Sequence, residues 1–125
     1  TNAVNTSEAQ NWRTRMAEAF AQSIDMKKYN IYAVYLAGSV FKGDATPESD
    51  INLIIHSNAE QSIKEDFLKW ANGWDSALKS INYNRTGFQL DHILDIAIVS
   101  DEDIDANQFY YDLLNPALRL SKKLR

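Results

Sequence analysis

Apolar residues recur near the start of the chain at the spacing of an α-helix. Four large apolar side chains stand four residues apart: Trp12, Met16, Phe20 and Ile24. This period places them in one stripe and predicts a helix that begins at Ser7, whose hydroxyl can cap the first turn, and ends between residues 27 and 30. Residues 1–6 lack the pattern, so we expect them to be loosely held.

Three later segments have the pattern of β-strands. Residues 31–37 and 50–56 are short apolar runs, separated by a stretch at residues 42–49 that contains the Gly, Asp, Pro and Ser residues typical of loops. Residues 88–99 alternate with the two-residue period of a strand and form the longest of the three predictions. In that strand Asp91 and Asp95 share a face.

Two further helices flank the third strand. The first begins at Asn58 and ends at residues 84–87, with five large side chains on one face: Ile63, Phe67, Trp70, Trp74 and Leu78. An acidic run at residues 101–105 can cap a last helix with four apolar positions: Phe109, Tyr110, Leu113 and Leu114. We expect residues 1–125 to form one α/β (α+β) domain, with a small mixed sheet of about three to five strands flanked by helices.

The composition narrows the classes of function. The chain has 125 residues, a net charge of -4 and no cysteine, which excludes thiolate nucleophiles, iron–sulfur clusters and cysteine zinc sites. Neither sign of charge forms a long block, which argues against general nucleic-acid binding. The apolar runs are far shorter than the roughly 18 residues of a membrane span. We therefore expect no membrane contact, with the cytoplasm as the default location.

Residues that can carry chemistry stand at the ends of the first two predicted strands. Gly38 and Ser39 end the first strand, ten residues follow, and Asp50 opens the second. A Gly-Ser turn exposes backbone amides and a hydroxyl, and glycine keeps side chains away from a phosphate. Carboxylates on neighbouring strands can hold the Mg²⁺ that accompanies nucleotide phosphates. We expect the carboxyl groups of Asp50 and Asp95 to point into one cleft beside Gly38 and Ser39.

Residues 36–39, Gly43, 49–55 and 94–99 together resemble the nucleotidyltransferase (DNA polymerase β-like) superfamily. The likeness is to its minimal, kanamycin-nucleotidyltransferase-like domains. In that family a Gly-Ser turn is followed by Asp-x-Asp and by a later aspartate on a neighbouring strand. The resemblance implies a magnesium-dependent transfer of a nucleoside monophosphate from an NTP, with ATP expected, to a hydroxyl group of a small molecule or a protein.

The resemblance also implies roles for individual residues. It gives three ligands for Mg²⁺: Asp50, Asn52 and Asp95. It gives three nucleotide-binding residues: Gly38, Ser39 and Lys42. Lys42 is expected to supply the positive charge of an arginine that family members often carry where this chain has Val40. Asp50 and Asp95 are implied as catalytic residues, and Asp95 would accept the proton of the attacking hydroxyl.

Asn52 departs from the family pattern, because it stands where a second metal-binding aspartate is usual. An amide oxygen can bind Mg²⁺ but carries no charge, so we expect low or absent activity. Two functions stay open. The chain is either a weak nucleotidyltransferase or a catalytically inactive nucleotide-binding or protein-interaction module, antitoxin-like or regulatory, with a helical protein partner. An accidental match of the motif is the third alternative.

Other polar residues receive simpler interpretations. His56 and His92 are expected to be ordinary strand histidines, since no partner spacing supports a catalytic role. Asp91 is the rival of Asp95 for the third carboxylate. The basic residues near the end of the chain, at positions 122–125, are expected to complement the C-terminus of a helix. The helical positions around Phe109 are a candidate partner contact.

Overall fold

The structure is a computed structural model that describes residues 2–125, with side chains from Ser7 onward. The helices are α1 (Asn2–Ser23), α2 (Gly38–Lys42), α3 (Gln61–Thr86), α4 (Asp101–Ala106) and α5 (Gln108–Leu114). The strands are β1 (Ile31–Ala37), β2 (Ile51–Ser57), β3 (Leu94–Val99) and β4 (Lys122–Lys123). Helices and strands alternate along most of the chain, which confirms the predicted α/β (α+β) fold class.

The four strands form one mixed sheet in the order β3-β2-β1-β4. β1 is antiparallel to both of its neighbours, whereas β2 and β3 are parallel. The parallel pair is possible because α3 provides the long connection that parallel neighbours need. β3 therefore forms one edge of the sheet and the two-residue β4 forms the other.

The larger part of the core lies between the sheet and the helices α1 and α3. Five buried strand residues face it: Val34, Leu36, Ile51, Leu53 and Ile55. Phe20 of α1 packs there against three rings of α3, with centroids 5.4 to 6.4 Å apart: Phe67, Trp70 and Trp74. The tryptophans thus serve core packing, as their helical spacing predicts.

Helices α4 and α5 cover the opposite face of the sheet. Their apolar side chains, which include Tyr110 and Leu113, pack against Ile54 and Val99. Tyr110 and Leu113 are thus partly buried and do not form an exposed face with Phe109, which is 64% exposed. No helix within residues 2–125 is long and apolar enough to cross a membrane.

The first helix differs from its prediction at both ends. It begins at Asn2 instead of Ser7 and ends at Ser23, before the predicted residues 27–30. Arg125 caps the C-terminal end of this helix: its guanidinium donates to the carbonyl oxygens of Ala21, Gln22 and Ile24 at 2.8 to 3.1 Å. For Arg125, the predicted complement to a helix C-terminus is thus correct. Thr1 and the side chains of residues 2–6 lie outside the described part, so their loose attachment stays a prediction.

The third strand is half as long as predicted. It begins at Leu94 instead of residue 88, because the register with β2 begins at the pair Ile51 and Leu94. Residues 88–93 have no β2 residue opposite them and form a loop. Asp91 lies in that loop and is exposed, so the predicted strand face shared by Asp91 and Asp95 is wrong.

Candidate active site

Gly38 forms the turn between β1 and α2. Its φ of 70° lies in the left-handed region, which favours glycine. A Cβ atom at this position would also overlap the side-chain amide nitrogen of Asn52. Two separate constraints therefore require glycine, and the Asn52 side chain lies directly against the turn that carries Ser39.

Asn52 and Asp95 lie side by side on adjacent strands. They are register partners in the parallel pair of β2 and β3, and Asn52 also pairs with Ala37, the residue before Gly38. Register partners project from the same face of a sheet. Asp50 stands two residues before Asn52 and directly precedes β2. Asn52 and Asp95 therefore lie at one end of one sheet face, and Asp50 is next to that end along the chain.

Solvent reaches this end of the sheet face. Four polar residues here are exposed or partly exposed: Ser39, Asp50, Asn52 and Asp95. Further along the same face, Ile54 and Val99 are buried under α4 and α5. Lys42 is exposed at the end of α2, close in sequence to the Gly38 turn. A ligand can therefore approach the polar end of the face, whereas the helices close the apolar end.

Gln10 of α1 forms two hydrogen bonds with the segment that follows Gly38 and Ser39. Its Nε2 donates to the carbonyl oxygen of Val40 at 2.7 Å, and its Oε1 accepts from the backbone amide of Ala45 at 3.0 Å. α2 has only five residues, too few for stability of its own. The two hydrogen bonds therefore fix α2 and the following loop relative to α1.

Arg13 of α1 is fully buried beneath the loop that ends at Asp50. Its guanidinium donates to the carbonyl oxygens of Ser49 and Pro47, at 2.8 and 3.0 Å, and to the side-chain oxygen of Asn82 at 2.9 Å. Burial lowers the pKa of Arg13 to about 10, and the negative charge of Asp50 opposes that shift. The guanidinium stays charged at neutral pH, and it fixes the backbone immediately before Asp50.

Asp75 of α3 holds the start of β3. The residue is 4% exposed, and its Oδ1 accepts the backbone amides of Ile93 and Leu94, both at 2.8 Å. Its Oδ2 lies 3.1 Å from Nδ1 of His92. Burial raises the pKa of the Asp75 carboxyl, but the hydrogen bonds from Leu94, Ile93 and His92 and the charge of Lys79 outweigh burial and hold the pKa below its usual range.

The sequence motif does not include these supporting residues. Spacing offers one signal for Arg13, which stands four residues from both Ala9 and Ala17 and so belongs to an inward-facing helical stripe. Asp75 likewise stands four residues after the buried Ala71. A charged residue on such a stripe indicates a buried polar contact, because an unpaired charge is costly inside a protein.

The two histidines lie at different distances along the chain from the candidate site: His56 is at the opposite end of β2, and His92 is in the loop before β3. His56 Nε2 is 2.6 Å from an oxygen of Asp101, and Asn58 donates to the other oxygen at 2.8 Å, at the far end of β2. These bonds and the charge of His56 hold the pKa of Asp101 below its usual value. His92 contacts Asp75 and lines one cavity together with Asp95.

The donor set fits a magnesium ion that is shared with a nucleotide. Two carboxylates, Asp50 and Asp95, and the amide of Asn52 supply the hard oxygen ligands that Mg²⁺ prefers. Among the side chains that the structure describes, no three acidic or histidine residues form a ready metal site. Mg²⁺ is commonly held by one or two carboxylates together with phosphate oxygens. This site therefore suits a metal–nucleotide complex better than a free ion.

A substitution at Gly38 tests its contact with Asn52. Gly43→Ala is the matched control, because Gly43 also has a positive φ, of 84°, but open space where a Cβ would lie. Both substitutions cost about 1–2 kcal/mol for the left-handed backbone. Since Gly38→Ala also displaces Asn52, we expect it to lower the free energy of unfolding by about 1 kcal/mol more than the control, measured by urea denaturation. Equal losses would contradict the contact.

Comparison with known proteins places the chain in a family. The model of the nucleotidyltransferase domain matches residues 18–123, so the chain belongs to the nucleotidyltransferase domain family. A crystal structure at 1.40 Å of a Sulfolobus solfataricus protein, provisionally named a nucleotidyltransferase, also matches. The two chains are 15% identical, with 82% of this chain and 79% of that one covered and a TM-score of 0.47. No curated protein sequence matches the chain.

Proposed function

We propose that this nucleotidyltransferase domain binds an NTP, with ATP as the first candidate, together with Mg²⁺, and transfers the nucleoside monophosphate to a hydroxyl group. The single observation that carries the proposal is the pairing of Asn52 with both Asp95 and Ala37. This pairing brings two of the candidate metal ligands, Asn52 and Asp95, to the end of the sheet where the Gly38 turn begins. The third candidate, Asp50, directly precedes the strand of Asn52. Membership of the nucleotidyltransferase family supports the proposal that this end of the sheet binds the NTP and Mg²⁺.

Each polar residue has a distinct role in the proposed reaction. The backbone at Gly38 and the hydroxyl of Ser39 bind the terminal phosphates, and Lys42 adds positive charge nearby. Mg²⁺ at Asp50, Asn52 and Asp95 would neutralise phosphate charge and stabilise the charge that develops during transfer. Asp95 is the most exposed of these ligands and accepts the proton from the attacking hydroxyl.

The acceptor is a hydroxyl of a small molecule or of a protein side chain. The new bond forms between that oxygen and the α-phosphorus, while the bond from the α-phosphorus to pyrophosphate breaks. Asn52 lowers the negative charge available to hold the metal, so turnover is slower than the roughly 1–10³ per second of ordinary enzymes.

The amide at position 52 also favours a second candidate function. A chain that keeps the phosphate-binding turn but lacks one of the usual carboxylates can bind a nucleotide without transferring it. Such a module would act through a protein partner, in a regulatory or antitoxin-like role. The two candidates differ in their need for metal, since only transfer depends on charge neutralisation by Mg²⁺.

Isothermal titration with ATP and with GTP, each with and without Mg²⁺, separates the candidates. We expect binding that requires Mg²⁺ and that is lost in Asp95→Asn. Asp91→Asn is the matched control, because Asp91 is an exposed aspartate outside β3, and it should bind as the wild type does. Metal-independent binding would favour the inactive module, and no binding of either nucleotide would contradict both candidates.

A further inference from the structure

Two side chains of α3, one helical turn apart, hold the segment that leads into β3. Asp75 accepts the backbone amides of Ile93 and Leu94 on one oxygen, at 2.8 Å each. Lys79 donates to the backbone carbonyl oxygen of Asp91 at 2.9 Å. Both contacts are to backbone atoms, so they fix the path of the chain whatever side chains the segment carries.

The position of this contact matters because β3 is an edge strand. On one side, β3 is paired with β2, and the backbone amide of Ile51 donates to the carbonyl oxygen of Ile93 at 2.6 Å. On the other side no strand of the described sheet holds β3, and Asp75 supplies the missing acceptor for two successive amides. The start of an edge strand frays most easily when its backbone groups are unpaired.

Asp95 follows Leu94 directly, so any movement at the start of β3 is passed to the candidate metal ligand. Leu94 packs into the core under α3, whereas Asp95 projects from the opposite face beside Asn52. A change at Asp75 therefore reaches Asp95 through the backbone and not through side-chain contact.

We infer that Asp75 is a positioning residue for Asp95. By accepting hydrogen bonds from the backbone amides of Ile93 and Leu94, Asp75 orients Asp95 toward Asn52. The inference rests on the proposed function, since it gives Asp95 its role as a metal ligand and proton acceptor. It adds a residue on the far side of the sheet to the set that determines metal–nucleotide affinity.

The chemistry of the contact predicts a difference between two substitutions. Asparagine at position 75 keeps one carbonyl oxygen, which can accept both amide hydrogen bonds, although it loses the charge that faces His92 and Lys79. Alanine keeps no acceptor and leaves both amides unpaired. Asp75→Asn should therefore preserve the orientation of Asp95 toward Asn52, and Asp75→Ala should disturb it.

The test compares Asp75→Ala, Asp75→Asn and the control Asp66→Ala, which removes an exposed aspartate from the same helix. Amide hydrogen exchange by NMR reports the hydrogen bonds at Ile93 and Leu94. The cross-strand NOE between Asn52 and Asp95 reports how close the two residues lie, and therefore the orientation of Asp95. Titration with ATP and Mg²⁺ reports affinity, and thermal unfolding reports stability.

In Asp75→Ala we expect exchange at Ile93 and Leu94 to accelerate at least about tenfold, the factor that follows from losing a buried hydrogen bond. We also expect a weaker NOE from Asn52 to Asp95 and about tenfold lower affinity. Asp75→Asn should stay within about threefold of the wild type in exchange and affinity, even where its melting temperature falls. That separation distinguishes positioning from stability alone.

Three results would overturn the inference. The first is unchanged exchange or an unchanged NOE in Asp75→Ala, and the second is the same loss in Asp66→Ala. The third is an Asp75→Asn protein that keeps both amides protected but binds nucleotide as poorly as Asp75→Ala does. If Asp75→Ala does not fold, the third result is an Asp75→Asn protein that keeps both amides protected but has lost nucleotide binding. If the wild type binds no nucleotide, the proposed function fails, and the exchange and NOE measurements still decide whether Asp75 positions Asp95.

Discussion

Replacing Arg13 with methionine is expected to lower the free energy of unfolding by about 3 kcal/mol. Methionine has a similar length and fills the buried space, but it donates no hydrogen bond. The change removes the guanidinium donor from the carbonyl oxygens of Pro47 and Ser49 and from the buried side-chain oxygen of Asn82. Of these acceptors, the Pro47 oxygen keeps a hydrogen bond from Nδ2 of Asn82 at 3.1 Å. For a chain of this size, the melting temperature should fall by about 10 °C.

Arg15→Met is the control for this substitution. Arg15 lies on the same helix and is exposed, so its replacement should change the free energy of unfolding by no more than about 0.5 kcal/mol. Urea denaturation with a common slope for all variants measures both changes. If Arg13→Met is as stable as Arg15→Met, the guanidinium does not hold the loop before Asp50.

The second large effect is expected from Asn52→Asp. This change introduces a carboxylate beside Asp95 on the neighbouring strand and two residues after Asp50, and added ligand charge raises the affinity for a divalent cation. We expect Mg²⁺-dependent affinity for ATP to increase by about tenfold, together with any transferase activity. Asn84→Asp adds the same charge at an exposed position of α3 and should leave both unchanged.

Two further variants show whether the gain comes from the proposed site. In the Asn52→Asp background, Asp50→Ala should abolish the gain, because the double variant has no more carboxylates at the candidate site than the wild type has. Ser39→Ala should weaken the binding of the nucleotide more than that of the metal. A folded Asn52→Asp protein with unchanged metal affinity and activity would favour the inactive binding module instead.

Local patterns were sufficient to predict the elements that carry the motif. β1 has the predicted bounds, because a short apolar run closed by Gly38 leaves little choice of register. The stripe from Ile63 to Leu78 predicts α3, and the spacing of Gly38 and Asp50 places them at the ends of neighbouring strands. These features depend on residues that are close in sequence.

Features that depend on distant residues were not predictable in this way. The alternation of residues 88–99 starts before the point where β2 begins, and only the pairing of the two parallel strands decides that β3 begins at Leu94. β4 has two residues, too few to show a period. Arg13 and Asp75 form hydrogen bonds with backbone atoms 18 to 36 residues away. Because nearly every residue carries the same backbone donor and acceptor, the sequence does not show which of them a side chain binds.

The most direct test of the site is an NMR titration of the ¹⁵N-labelled chain with ATP in the presence of Mg²⁺. We predict chemical-shift changes concentrated at the backbone amides of Gly38, Ser39, Asn52 and Asp95, and their loss when Mg²⁺ is removed with EDTA. The amides of Asn58 and Asp101, at the far end of β2, should stay unchanged. Shifts confined to that far end, or no shifts at all, would contradict the nucleotide site at the Gly38 turn.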